Sequence, residues 1–522
     1  MSNRLRAIPL VFVAVVLIVV AAVSWSSRGD DAAPAPSADR TTAAQEPEPT
    51  GWVPSDEVRA KAKQLADSLS LDDLAGQLII ARSFSNDSSL ALVRDKHFAG
   101  VMVTGQQILD VTTDDPLDQV KAFNQQLQEV DADRGFPVMV PIDQEGGLVA
   151  RLADPLTTFP PFMSAGAAIA GHGDEGAAAV TAAARASGAE LRAAGYNTVF
   201  APIGDITIGP ADPIIGSRSP GSDPETVASA VVAAVDGYSE AGMISAVKHF
   251  PGHNVSTDSH KGLPVLDSDR DRLRSHDLVP FEAAIAAAAP GIMTGHLNVP
   301  AIDKGVPASM SRKVITTGLR KNLGHDGLVI SDSLGMGAVM NRYPGGAAAV
   351  EAIKAGSDLA LMPADNEQAY DAMLAALKSG DLPEQQARDS AARTIAYLLH
   401  SQASPEASGR AGEPWIRLRA AQRTGRDDRG ASVPGPEDHR CHAFGFARCR
   451  CGVPAGGSGS RAAYRFWHVR GVPRPRRACC ECRCRGLDRH AVRSGEQRSS
   501  DEDRVVRPRR ARHAGARQGA DG

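Results

Sequence analysis

Eight short apolar runs, spaced by longer alanine-rich stretches, constrain the fold of this 522-residue chain more than any other feature. Between residues 55 and 400 they read QLIIA, GVMV, PVMVPID, NTVFAPIGD, MISAVKH, GIMTGH, GLVISD and DLALMP. Each has the length of a strand buried on both faces of a parallel sheet. The stretches between them, such as DPLDQVKAFNQQLQEV, EGAAAVTAAARASGAELRAAG, ETVASAVVAAVDGYSEAG and VPFEAAIAAAA, are amphipathic and read as helices. Strand–helix alternation repeated eight times predicts an α/β fold, a (β/α)8 TIM-like barrel forming a single catalytic domain over 55–400. An open, doubly wound sheet is the alternative.

Polar residues recur where the runs end. Asp143 follows PVMVPI, Asp205 follows FAPIG, Lys248 and His249 follow MISAV, His296 follows GIMTG, and Asp332 follows GLVIS. In a barrel of parallel strands these ends converge on one face, where active sites of such folds are built. Taken singly, each is equally well a helix cap or a solvated loop residue. Capping explains neither the lysine nor the histidines, so the group together predicts an enzyme active site.

The stretch KHFPGHNVSTDSHKGLP (248–264) poses a choice between metal binding and proton transfer. His249 and His253 have the i, i+4 spacing of zinc ligands on a helix. Pro251 and Gly252 lie between them, and proline there breaks the helix that would make the spacing useful. No HExxH is present, and all seven cysteines lie beyond residue 440. A strand end, a Pro-Gly turn and a polar loop is the preferred reading; a metal held by loop ligands is the lesser one. Within the loop Asp258 and His260 are two residues apart. A carboxylate beside an imidazole stabilises its protonated form and makes it a proton donor near neutral pH. A separate carboxylate nucleophile such as Asp332 would complete the equipment of a retaining glycosidase, with histidine where a second carboxylate is usual.

The stretches IDQEGGLVARL (142–152), NTVFAPIGDI (197–206), IIGSRS (214–219), AVKHFPGHNVSTDSHKGLP (246–264), IMTGHLNVPAID (292–303) and GLVISDSLGMGAV (327–339) resemble bacterial β-N-acetylglucosaminidases of glycoside hydrolase family 3. They occur in the family's order over residues 60–400. The resemblance implies Asp332 as the nucleophile, His260 as a mobile acid/base and Asp258 as its partner. It also implies that Asp143, Arg151, Arg218, Lys248 and His249 hold the hydroxyls of a bound N-acetylglucosamine, with no metal and no cofactor. Leu148 departs from the pattern, standing where many relatives carry a basic residue.

The two ends differ from this middle. MSNRLR followed by AIPLVFVAVVLIVVAAVSW (within 1–26) reads as an export element, either a membrane anchor or a cleaved signal peptide. Residues 27–54 read as a low-complexity tether. Residues 401–522 carry 26 arginines, no lysine and 13 acids, with two leucines and one isoleucine, too little apolar material for a core of that length. The tail is expected to be disordered, as a frame-shifted translation or as a zinc- or nucleic-acid-binding extension. Its cysteines lack two well-separated CxxC pairs. With a net charge of −4 the whole chain, and still more its acidic first part, does not invite nucleic acid.

The sequence thus predicts an exported, membrane-anchored or wall-associated monomer. It would remove terminal N-acetylglucosamine from cell-wall muropeptides by double displacement. A β-glucosidase, a phosphorylase, or a non-catalytic sugar-binding wall protein are the alternatives.

Overall fold

The computed structural model describes residues 52–104, 116–152, 156–210, 212–255 and 257–404. The expected export element, most of the linker and the arginine-rich tail from residue 405 onward lie outside the described residues; residues 401–403, expected to begin a disordered tail, instead complete the last helix. Among the described residues, no helix is long and apolar enough to cross a membrane.

Each of the eight apolar runs contains a strand, and all eight pair in parallel. β1 (Ile79–Arg82) lies between β2 (Gly100–Met102) and β10 (Ala360–Leu361) in one sheet. A second sheet runs β3 (Pro141–Ile142), β6 (Thr198–Val199), β7 (Ile244–Phe250), β8 (Gly291–Thr294), β9 (Leu328–Ser331). Single parallel bridges tie the edges of the two sheets, Gly100 to Met139 and Ile330 to Leu359. Several strands are shorter than their runs. In PVMVPID and NTVFAPIGD only two residues each are regular strand, because the prolines withhold ladder donors. One element has no counterpart in the apolar periodicity, an antiparallel hairpin of β4 (Gln144–Gly146) and β5 (Val149–Ala150).

Several helices start where a side chain satisfies their first amides. Ser55 caps α1 (Asp56–Ser68), and Ser70 with Asp73 forms a reciprocal capping box on α2 (Leu71–Gly76). Next come α3 (Asn86–Lys96), α4 (Pro116–Glu129) and α5 (Met163–Ala193), the last interrupted at Gly173. Asp223 caps α6 (Pro224–Glu240), which carries proline at its first position. After α7 (Val279–Ala286), α8 (Ala347–Ala355) and α9 (Asn366–Ser379), the domain closes with α10 (Glu384–Ala403). The last helix returns to the first: Arg388 donates to the carbonyls of Ala66 (2.6 Å) and Leu69 (3.1 Å), and Trp52 packs on His400.

β7 departs from a regular strand. Its pairing with β8 shifts register between Lys248 and Phe250, so His249 is an extra residue in the ladder. Phe250 then turns into the apolar layer and meets Phe281 of α7 edge to face, with ring centroids 5.4 Å apart.

Candidate active site

Parallel pairing puts the carboxyl ends of the strands on one side of the sheets. A cleft of about 400 Å³ opens there, lined by Asp143, Glu145, Arg151, Arg218, Lys248, His249, His253, Ser259, His260 and Asp332 among others. Seven of the eight residues expected from the sequence therefore share one cleft. The eighth, Asp258, is joined to it through His260: its Oδ1 accepts from the His260 amide and lies against Nδ1, both at 2.9 Å.

The deepest part is a network of charge. Arg218 donates from Nε and Nη2 to the two oxygens of Glu145, at 2.8 and 2.9 Å, a bidentate pair. Lys248 Nζ donates to Asp143 Oδ1 at 2.7 Å and pairs with Glu145 Oε1 at 2.8 Å. Burial would push the Glu145 carboxyl up, but Lys248 and Arg218 override it and hold the group at about 2. Burial likewise works against the charge on Lys248, and Asp143 and Glu145 hold its ammonium above the ordinary lysine value. Arg151 stands 3.8 Å from the other oxygen of Asp143, at the more exposed side. Lys248 and Arg218 are thus already engaged by carboxylates in this structure, a restriction that motif and spacing did not anticipate. It comes from Glu145, which was missed there. The signal was present: Glu145 is two residues after Asp143 in DQEGG, and i, i+2 residues of an extended chain face the same way.

Asp205 is the second residue given no role in advance. It is fully buried on the segment between β6 and α6. Its Oδ2 meets His249 Nδ1 at 2.6 Å, and its Oδ1 accepts from the amides of His249 (2.9 Å) and His253 (2.7 Å). Burial opposes ionisation of this carboxyl, yet His249 pulls it down to about 2. With Nδ1 given to Asp205, the other ring nitrogen of His249 is the one free for the cleft.

Asp332 ends β9. Its amide donates to Thr294 O (2.9 Å), and its Oδ1 accepts from the Ser333 amide (2.7 Å). Oδ2 takes no hydrogen bond among the described residues, so lone pairs remain for a reacting carbon. Burial would raise this carboxyl, but His249 and His296 hold it below the usual aspartate range, ionised and available. His296 is buried, and burial pushes its own value down. Its Nε2 donates to Ser333 O at 2.9 Å and its Nδ1 faces the Ser309 hydroxyl at 2.7 Å, which steadies the loop directly after Asp332. At the mouth, the His260 side chain is 73% exposed. The His260 amide, before any charge effect, holds the Asp258 carboxyl below its ordinary value.

Among the described residues, no group of three or more histidine, cysteine or acidic side chains is arranged to hold a metal ion. His249 sits in a strand rather than on a helix, so its spacing to His253 does not make a ligand pair.

Residues 70–397 match the family model described as the glycosyl hydrolase family 3 N terminal domain. The chain belongs to glycosyl hydrolase family 3. It is 39% identical over 281 residues to β-hexosaminidase A of Pseudoalteromonas piscicida, covering 49% of this chain and 46% of that protein. It is 32% identical over 358 residues to the β-hexosaminidase LpqI of Mycobacterium tuberculosis, covering 67% of this chain and 88% of that one. The chain therefore spans about half of the first relative and most of the second. Among solved structures it is similar to a family 3 β-N-acetylglucosaminidase from Paenibacillus sp. str. FPU-7, with TM-score 0.60, 37% identity and coverage of 64% of this chain and 63% of that one. The structure of M. tuberculosis LpqI aligns with TM-score 0.57 and 31% identity, over 65% and 96% of the two chains.

Proposed function

We propose that this family 3 member is a retaining exo-β-N-acetylglucosaminidase that removes terminal N-acetylglucosamine from cell-wall glycan fragments. The observation that carries the reading is that an ionised, half-engaged Asp332 and an exposed, carboxylate-backed His260 line one cleft whose floor is a ring of charged groups. The relatives named β-hexosaminidase support the acetylated sugar as substrate.

Chemically, Asp332 Oδ2 attacks the anomeric carbon. The glycosidic bond breaks as the imidazolium of His260 gives its Nε2 proton to the departing oxygen. Asp258, bonded at Nδ1, fixes the tautomer and offsets the charge. Neutral His260 then takes a proton from water, the water oxygen attacks the anomeric carbon, and the Asp332 ester is released. Asp143, Arg151 and the charged groups behind them orient the hydroxyls, and charge-assisted bonds suit a polar sugar.

The same reading extends beyond the site. The bridges at Gly100–Met139 and Ile330–Leu359 support closure of the two sheets into one eight-stranded barrel. The apolar N-terminal run supports export, with the domain tethered to a membrane or released as a monomer at the cell wall.

Release of chromophore from an aryl β-N-acetylglucosaminide, beside the matching β-glucoside and with and without phosphate, tests the proposal. Turnover of the acetylated sugar alone, lowered on the order of 10⁴-fold or more in Asp332→Asn, is expected. Turnover of the glucoside alone, or strict dependence on phosphate, would replace it with a glucosidase or a phosphorylase. No turnover by the folded protein would leave a sugar-binding protein.

A further inference from the structure

The loop that carries His260 is anchored at both ends. Asn254 is bound at one end: its side chain accepts from the Ile206 amide (2.9 Å) and donates to Asp277 (2.6 Å). Beyond the loop, Asn298 bonds to Pro264 and Leu266 through its backbone. Between those anchors the chain has little support. Lys261 and Gly262 donate only to Asp258 O, inside the turn itself. Among the described residues, two hydrogen bonds join residues 257–263 to the rest of the protein. The amide of Gly337 donates to His260 O (3.3 Å), and that of Ala338 donates to Ser259 O (3.1 Å).

Gly337 and Ala338 begin a single turn of helix, Gly337–Met340, five residues after the nucleophile position. Such leading amides have no partner within their own helix. Ala338 and Val339 are buried, so this turn is fixed in the core, whereas His260 is exposed. A Cβ added at Gly337 would lie 2.6 Å from His260 O. An ordinary carbon–oxygen contact needs about 3.3 Å or more. Gly337 is not among the glycines with positive φ, so backbone conformation does not call for glycine there. Close approach of the loop does.

We propose that Gly337 and Ala338 form a latch that positions the acid/base loop, coupling the segment after Asp332 to the place where His260 delivers its proton. The inference rests on the reading of His260 as acid/base. Gly337 and Ala338 touch no substrate; they act through the Ser259 and His260 carbonyls. Any side chain at 337 pushes the loop outward, because the buried turn cannot yield. A displacement of about 1 Å in a catalytic group costs on the order of 10²-fold in rate. The loss falls on protonation of the leaving group. It therefore grows as the leaving group becomes more basic and vanishes for one that departs unaided.

The test is kcat/KM of the full-length enzyme for aryl β-N-acetylglucosaminides from dinitrophenyl to phenyl, in wild type, Gly337→Ala, Gly337→Val, His260→Ala and Met340→Ala. Alanine is a better helix former than glycine, so Gly337→Ala is expected to fold, which its melting curve checks. Gly337→Ala should lower kcat/KM for the phenyl glycoside by about ten- to a hundredfold and for the dinitrophenyl glycoside by less than about threefold, with Gly337→Val steeper. Met340→Ala, in the same turn but exposed, should keep the wild-type dependence. Equal losses on every substrate in Gly337→Ala, or none, would overturn the latch while a steep dependence in His260→Ala left the acid/base reading standing. A flat dependence in His260→Ala would overturn both together.

Discussion

The Asp205–His249 and Asp258–His260 pairs share a contact pattern. In each, one carboxylate meets both Nδ1 of an imidazole and the backbone amide of that same histidine, at 2.6 and 2.9 Å in the first and 2.9 Å twice in the second. Their surroundings are opposite. Asp205 is fully buried, accepts a third bond from the His253 amide, and sits on the segment after β6, against the bulge near the end of β7. Asp258 lies on a turn held, among the described residues, by two outside hydrogen bonds, with its histidine in solvent. The same two side chains form a fixed strut in one place and, on the function proposed above, a movable proton carrier in the other. What separates them is burial and the stiffness of the backbone underneath.

Removing the buried partner should have the larger effect. Asp205→Ala leaves two amides and an imidazole without their acceptor in a dry site. It should destabilise the domain by about 3–5 kcal/mol, read by denaturant unfolding, and lower kcat with it. If Asp205→Ala melted like wild type, the strut would not exist. Next in size is an acid limb. Asp205 falls from an ordinary 3.8 to about 2, and Glu145 from 4.5 to about 2, when the chain folds. A depressed carboxylate contributes stability that is full above its unfolded value and is lost as pH drops through the folded one. Wild-type stability should therefore decline between about pH 4.5 and 2 by on the order of 2 kcal/mol for Asp205 and about 3 kcal/mol for Glu145, and Asp205→Asn should flatten that decline. An unchanged slope in the variant would place the acid sensitivity elsewhere. The smallest effect belongs to the exposed pair: Asp258→Asn should leave stability within about 0.5 kcal/mol of wild type. Its kcat/KM on a phenyl glycoside should nevertheless fall about ten- to a hundredfold. A large loss of stability there would erase the contrast between the two pairs.

How far the sequence could be read shows the same division. Periodicity located all eight strands, because a doubly buried parallel strand has nowhere to hide its apolar run. It overestimated β3 and β6, in each of which two residues are regular strand, with Pro141 opening the first and Pro202 lying beyond the second. The positions of Asp143, Lys248, His249 and Asp332 were legible from their place at strand ends. The pairing among them was not. Whether Arg218 meets a sugar or Glu145 depends on a loop crossing from one strand end to another, and no local spacing encodes that distance. Asp205 was visible as a strand-end carboxylate, but its partners lie 44 and 48 residues away in sequence. Gly337 was invisible for a related reason. A glycine required by a neighbour's approach looks, in sequence, like any other glycine in a turn.

The extra residue in β7 bears on how much one strand can offer a substrate. In a regular strand Lys248 and His249 would point to opposite sides, and one would be lost to the core. The bulge lets both line the cleft and lets Phe250, directly after them, still face α7. The strand thereby presents a cation and an imidazole from consecutive codons, with its greasy alternation resumed one step out of phase. A variant lacking His249 would lose more than an imidazole. Phe250 would slide into the vacated position and bring an aromatic ring to the cleft, leaving a hole beneath α7. Such a deletion should be far more damaging than any point substitution at His249. An insertion of one residue a few positions upstream, which restores the phase, is the change that should mend it.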